Sequence, residues 1–240
     1  MILEQCVLEA LLEIRNALWH QDRDTLCEKH SCGAGGDISM GADLLAESIF
    51  IQCLKPFGSI DSEESGFVAG HGDLIFCLDP LDGSENFFSG FPYYGTSLAA
   101  QTQDGTTVLA IIANFATSDV ILKNPTHTIH GKIGEPLSRF KPLLPQKNRV
   151  GMGIFEQSYK HPKLVECLRE ANLKFRSPGA LALSLSHAHH IDFVLFGGKA
   201  RAYDIQAGLY LCGDFHTIVR DDFLLISRDI ELFEQIHRFL

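Results

Sequence analysis

The residues best placed to do chemistry in this chain are Asp79 and Asp82, three apart in Asp79-Pro80-Leu81-Asp82-Gly83-Ser84 and entered from the apolar run Leu74-Ile75-Phe76-Cys77-Leu78. A buried strand that ends in two carboxylates offers hard oxygen ligands to a divalent cation. Pro80 lacks an N–H and has a fixed φ, so the strand is expected to stop there. If a helical turn begins after Gly83, its free N–H groups face the same point, and a phosphate would sit beside a metal held by the acids. Glycine at 83 lets the backbone approach that phosphate closely.

Further acids precede this turn. Asp61, Glu63 and Glu64 close a short apolar piece, and such a run is ordinarily a solvated loop. Beside Asp79 and Asp82 it becomes a supplier of ligand oxygens, because clustered acids must repel or share cations. Asp43, in the first turn of a helical pattern running from Met40 to Leu54, reads by itself as a capping or helix-dipole carboxylate.

The elements that must position these residues follow from periodicity. Leu3, Val7, Ala10, Leu11, Ile14 and Leu18 recur at three and four, one face of an amphipathic helix. Residues 21–36 are polar and glycine-rich and read as an exposed mobile loop carrying Lys29. Tyr94 to Thr102 and Thr106 to Ala113 are β-prone and joined by Asp104-Gly105, a hairpin signal. Asp119 to Lys123 adds a strand, and Asn124 to Asn148 shows no steady period. Beyond it come strand 150–155, helix 162–171, strand 173–175, helix 180–189, strand 192–196, helix 204–212, strand 223–227 and a closing helix from Asp229. The rotation of strand and helix predicts an α/β half, residues 136–240, after a more antiparallel α+β half, residues 1–135.

Bulk properties narrow the partners. The chain has 240 residues, 45% of them apolar, enough to fill a substantial core. A formal charge of −10 argues against a nucleic-acid or anionic-membrane surface, so a phosphate ligand must be drawn by a local device such as bound cations. No run approaches the roughly 20 apolar residues of a membrane span, the N-terminus lacks a basic leader, and cytoplasm is the expectation. The seven cysteines follow no framework spacing and are expected as thiols. Cys27, His30 and Cys32 lack the second pair of a zinc site, and His187, His189 and His190 read as a solvated helix end.

Four motifs, in order along nearly the whole chain, resemble the inositol monophosphatase-like family, the superfamily of Mg2+-dependent, lithium-sensitive phosphatases that includes fructose-1,6-bisphosphatase. They are Gly41-Ala42-Asp43 with Glu47; Glu63-Glu64-Ser65; the Asp79–Ser84 string followed by Glu85-Asn86-Phe87 and Gly90-Phe91-Pro92; and Tyr203-Asp204-Ile205-Gln206-Ala207-Gly208. The resemblance implies a layered α-β-α-β-α sandwich and a homodimer. It implies a phosphomonoesterase acting on a small polyol or sugar phosphate, with a bisphosphate such as fructose 1,6-bisphosphate or 3′-phosphoadenosine 5′-phosphate as the alternative and a catalytically idle regulatory relative as a third reading.

Carried over residue by residue, it implies that Glu63, Asp79 and the Leu81 carbonyl hold one Mg2+, that Asp79, Asp82 and Asp204 hold a second, and that a third, weaker ion uses Glu63. The N–H groups of Gly83 and Ser84 would clamp the phosphate, and Ser84 with Asp43 would orient and deprotonate the attacking water. Gly179 and Ala180 stand where the family has its G-S-A motif. Gly197, with Lys199 and Arg201 after it, stands where inositol monophosphatases carry a glutamate. Lys199 and Arg201 would either bind a second substrate phosphate or merely solvate a loop.

Overall fold

The structure, a computed structural model, describes residues 2–144 and 150–240. In chain order the elements are α1 (Leu3–His20), α2 (Arg23–Leu26), β1 (Lys29–Cys32), β2 (Ile38–Met40), α3 (Gly41–Leu54), β3 (Gly58–Ser62), β4 (Gly66–Val68), β5 (Leu74–Asp82), α4 (Ser84–Ser89), β6 (Gly95–Gln101), β7 (Thr107–Asn114), β8 (Asp119–Lys123), β9 (Thr128–Lys132) and β10 (Lys141–Pro142). They continue as β11 (Met152–Glu156), α5 (Pro162–Glu170), β12 (Lys174–Arg176), α6 (Leu181–Ser186), β13 (Phe193–Gly197), α7 (Ala202–Leu211), β14 (His216–Val219), β15 (Phe223–Ser227) and α8 (Ile230–His237).

Two mixed sheets organise them. The first has the order β10-β9-β8-β7-β6-β5-β3-β4, with β3 and β5 parallel and its other pairs antiparallel. The second has the order β12-β11-β13-β15-β14, with β11 parallel to both its neighbours. Strand alternation gives each sheet two apolar faces. On the first sheet, Phe76, Leu78, Leu98 and Ile111 pack with Leu11, Ile14, Ala46 and Phe50 of α1 and α3. Its opposite face, with Cys77, Ala99 and Ala110, packs on Leu183 of α6 and Ala207 and Leu211 of α7. The far sides of α6 and α7 cover Val194 and Ile226 of the second sheet, whose outer face takes α5 and α8 through Leu168 and Ile236. The result is the five-layer α-β-α-β-α sandwich expected from the sequence, with α6 and α7 as its central layer.

The structure differs from the sequence reading in several places, among them the short strand β4 beside β3. Residues 21–36 contain α2, capped by Asp22 accepting from the Thr25 N–H at 3.2 Å, and most of a hairpin, β1 and β2, whose pattern was too short and polar to show a period. The stretch from Asn124 holds β9 and β10, while residues 145–148 of it lie outside the described residues. β14 was missed because His216 to Val219 is an exposed edge strand with little apolar alternation. The predicted helix 180–189 ends at Ser186 in a 3-10 turn, and His189 on that turn is buried against Phe215 at a ring distance of 4.8 Å rather than solvated. Lastly, β5 runs through Pro80 to Asp82.

Phe76 sits at the middle of the first core with no exposed surface. Phe76→Ala is expected to cost about 3–5 kcal/mol through lost burial and a residual cavity. Denaturant unfolding should show a lower midpoint with an unchanged slope.

Candidate metal centre

The course of β5 through Pro80 decides where the two acids point. Along β5 the partners on β6 run Cys77↔Ala99 and Asp79↔Ser97, then Asp82↔Gly95, so three steps on β5 match two on β6. This is a β-bulge, with one extra residue on β5. Cys77 faces the α6–α7 layer, so Asp79 does too, and in a regular strand Asp82 would face the opposite side. The bulge returns Asp82 to that layer, where its Oδ2 accepts the Leu183 N–H at 3.0 Å. Pro80 is tolerated because the pairing with β3 ends at Ser62↔Leu78 and the pairing with β6 is interrupted there, so no ladder bond needs its missing N–H.

Three carboxylates from distant parts of the chain meet beside this bulge. Glu63, Asp79 and Asp204 each present an oxygen, and these atoms lie within 4.8 Å of one another. Glu63 follows the end of β3, and its N–H donates to the Leu78 carbonyl at 3.0 Å. Asp204 is the third residue of α7 and accepts the Arg201 N–H at 3.3 Å, closing the first turn of its own helix. Tyr203 before it donates to Asp61 at 3.0 Å, tying α7 to β3. Asp82 is buried close to this trio, outside the 4.8 Å group.

Burial raises the acids' pKa values, because water that would stabilise the charge is excluded, and mutual repulsion adds to it. Asp79 is pushed well up by burial, then by Glu63, Asp82 and Asp204; Asp82 is pushed well up by burial and then by Asp204. Burial raises Glu63 to about 7 against the pull of Arg201. Arg201 is the cation inside the cluster: Nη1 lies 2.6 Å from Glu63 and Nη2 2.9 Å from Asp204. Burial opposes its charge, but the bonds to Asp204 and the charges of Glu63 and Asp79 outweigh that and hold it protonated.

The acidic run 61–64, read alone as solvated, is drawn inward by specific partners. Glu47 of α3 accepts from the Ser65 N–H at 2.9 Å and its hydroxyl at 2.6 Å, and Ser39 donates to Glu64. Asp43 is buried on α3, accepts the Met40 N–H at 2.8 Å, and is raised by burial to about 7. Among the described residues no hydrogen bond joins Asp43 to Ser84, which is half-buried at the start of α4. Leu81 is buried, its N–H donating to Asp79 at 3.0 Å.

Gly83 has φ +78°, and a Cβ there would lie 2.9 Å from both the Ala180 Cβ and the Tyr93 carbonyl. The Gly179-Ala180 turn is thus pressed against the start of α4. Asn86 fastens it by donating to the Tyr93 and Pro178 carbonyls at 2.7 and 2.8 Å. Glu156, which the sequence reading missed, holds the same turn: it accepts from the N–H groups of Gly179 and Ala180 at 2.8 and 3.3 Å and from the Ser184 hydroxyl at 2.5 Å. Its signal was an acid closing the apolar strand Met152–Phe155, the pattern that marked Asp79. Lys199 is exposed and makes no ion pair among the described residues, so only Arg201 of that pair joins the cluster.

Residues 34–214 match the model of the inositol monophosphatase family. The chain belongs to that family. Among its relatives, a Nus factor SuhB of Haemophilus influenzae is 27% identical, over 72% of this chain and 67% of that protein. A fructose-1,6-bisphosphatase of Pyrococcus furiosus is 26% identical, over 82% of this chain and 74% of that protein. In fold, the chain resembles a solved inositol monophosphatase-fructose 1,6-bisphosphatase, with TM-score 0.82 at 19% identity over the whole of both chains. It also resembles the SuhB of Bartonella henselae, with TM-score 0.77 at 20% identity over 99% and 98% of the two. The family is in general Mg2+-dependent, and the all-oxygen donor set found here suits that ion over softer metals.

The raised acids set a pH dependence. Asp43 and Glu63 bind protons more tightly in the folded chain than at their ordinary values of 3.8 and 4.5. The native state therefore holds extra protons up to about pH 7, and stability falls as pH rises through that window. Asp104 and Asp119, whose carboxyls are held below the usual range, titrate beneath it. Burial lowers His187, His189 and His190 from 6.5, and they act in the opposite sense below that value. In chelator, the thermal midpoint should therefore fall between about pH 6.5 and pH 8, with Mg2+ restoring it mainly at pH 8; a midpoint that rises across this range contradicts the assignment.

Proposed function

We propose that this chain is a Mg2+-dependent phosphomonoesterase that hydrolyses a small polyol or sugar phosphate with a metal-activated water. The observation that carries the reading is the convergence of Glu63, Asp79 and Asp204 oxygens within 4.8 Å, with Asp82 alongside. Buried acids so close require cations, and a phosphate ester requires cations to approach a chain of charge −10. Glu63, Asp79 and the Leu81 carbonyl would hold one ion and Asp79, Asp82 and Asp204 another, with a weaker third on Glu63. Bound Mg2+ supplies an acidified water and countercharge for the transferring phosphoryl group and the leaving oxygen.

The chain's own groups do the rest. Gly83 and Ser84 direct N–H groups at the phosphate, where glycine removes the side chain that would obstruct it. Asp43, with its carboxyl near 7, is suited to take a proton at neutral pH, with the Ser84 hydroxyl orienting the water. Gly179 and Ala180, set by Glu156 and Asn86, form one wall of the leaving-group pocket. Lys199 and Arg201 provide the positive charge of that region, and a bisphosphate is the second reading. It is supported by the bisphosphatase relatives and by Arg201 lying among the acids. The seven free thiols suit a reducing cytoplasm, and among the described residues no helix is long and apolar enough to cross a membrane. Homodimerisation is proposed from the family resemblance.

The test is phosphate release from inositol phosphate, fructose 1,6-bisphosphate and 3′-phosphoadenosine 5′-phosphate with and without Mg2+. Mg2+-dependent release from at least one is expected; silence on all of them overturns the phosphatase reading and favours a regulatory relative. Asp82→Asn should lower kcat by roughly 10²-fold or more, beyond a typical loss outside the ligand set. The fold should survive by circular dichroism, since Asn still accepts from Leu183 and relieves repulsion.

A further inference from the structure

The two large sheets end in β10 and β4, and in β12 and β14. An edge strand leaves a row of N–H and C=O groups unpaired, and chains guard such rows against pairing with another strand. β10 is Lys141-Pro142, a cation followed by a residue with no N–H. β12 carries Lys174 and Arg176 at its two ends, charges that repel a second copy of themselves. β4 is three residues long, and a Cβ on its Gly66 would lie 3.3 Å from the Ala34 Cβ, so the turn between β1 and β2 stands beside it. β14 has neither Lys nor Pro, and its His216, Thr217 and Val219 are exposed.

The pairing of β14 with β15 decides which of its backbone groups are free. The Arg220 N–H donates to the Phe223 carbonyl at 2.8 Å, and the antiparallel ladder continues with Ile218 opposite Leu225 and His216 opposite Ser227. Bonded and non-bonded pairs alternate along such a ladder, so residues 216, 218 and 220 direct their groups at β15 while Thr217 and Val219 direct theirs out of the sheet. A second copy of β14, running antiparallel, meets these outward groups with its own in two central registers. With Thr217 opposite itself, Phe215 faces Val219, and Asp214 comes beside Arg220 twice by symmetry. With Ile218 opposite itself, Arg220 falls on His216 and Asp214 on Asp222, carboxylate against carboxylate. Charge therefore selects the first register. Asp214 and Arg220 are both exposed and form no ion pair among the described residues, so each is available to another copy.

We propose that β14 is a self-pairing edge: two copies of this chain join antiparallel through it, Thr217 opposite Thr217, with Asp214 of each copy beside Arg220 of the other. The two five-stranded sheets then run on as one across a two-fold axis. No ligand of the metal centre lies on β14, so the association stands apart from the phosphatase reading.

Sedimentation velocity over a range of concentrations, with amide hydrogen exchange, tests this on the intact chain. Wild type should associate, with exchange at Thr217 and Val219 slowed in the assembled form. Thr217→Pro removes an outward N–H and no bond to β15, and should abolish the association. Asp214→Arg turns both ion pairs into repulsions and should weaken association by about ten-fold, the scale of two cross-strand charge pairs. Adding Arg220→Asp to that variant reverses both charges and should restore it, and circular dichroism checks that each variant is folded. A wild-type mass that Thr217→Pro and Asp214→Arg leave unchanged overturns the proposal, whether the chain is then a monomer or joined through another face. Association no stronger in the doubly exchanged chain than in Asp214→Arg overturns it too, as does Val219 exchange as fast in concentrated wild type as in Thr217→Pro.

Discussion

The structure depends on keeping several carboxylates together in a place from which water is largely removed. Glu63, Asp79, Asp82 and Asp204 are all buried, and each raises the cost of ionising its neighbours. A fold does not assemble such a cluster for stability, since an apolar set of the same size would serve better. The cost is tolerated where charge is to be met by cations, and the molecule is arranged so that it is met in part by Arg201 already.

The architecture provides the setting. Because α6 and α7 are sandwiched between two sheets, residues at the start of α7 and the end of β5 face each other across one interface. α7 delivers Asp204 from its first turn, where the carboxylate also satisfies a backbone N–H of its own helix. Asp43 does the same at the start of α3. In both cases a helix end orients an acid that the sequence could equally present as an ordinary cap, and burial changes its chemistry. Behind the acids, Glu156 and Asn86 hold the Gly179-Ala180 turn by hydrogen bonds to backbone groups, and the Ser184 hydroxyl donates to Glu156, so the irregular chain facing Gly83 is tied in place.

The glycines at 35 and 83 play matching parts. At Gly35 the backbone of the β1–β2 turn comes against Glu63, and at Gly83 the backbone of the Asp79–Ser84 string comes against Ala180. A side chain at either point would push apart segments from opposite ends of the chain. These close approaches set how tightly the segments around the acid cluster pack.

By itself the sequence determined the sandwich, the order of most elements and the acids of the cluster, because helical and strand periodicity and an extended motif string are local properties. It did not reveal β1, β2, β9, β10 and β14, which are short or exposed and held by pairing rather than by alternation. Only the tertiary structure decided that Pro80 lies within a strand, since a proline stops a strand only where its N–H is needed, and the bulge removed that need. That bulge turns Asp79 and Asp82 to one side, and the packing of α7 on β5 brings Arg201 onto Glu63. The partners in those contacts are separated by up to 138 residues, as between Glu63 and Arg201, and no local pattern encodes which distant charge will share a buried pocket.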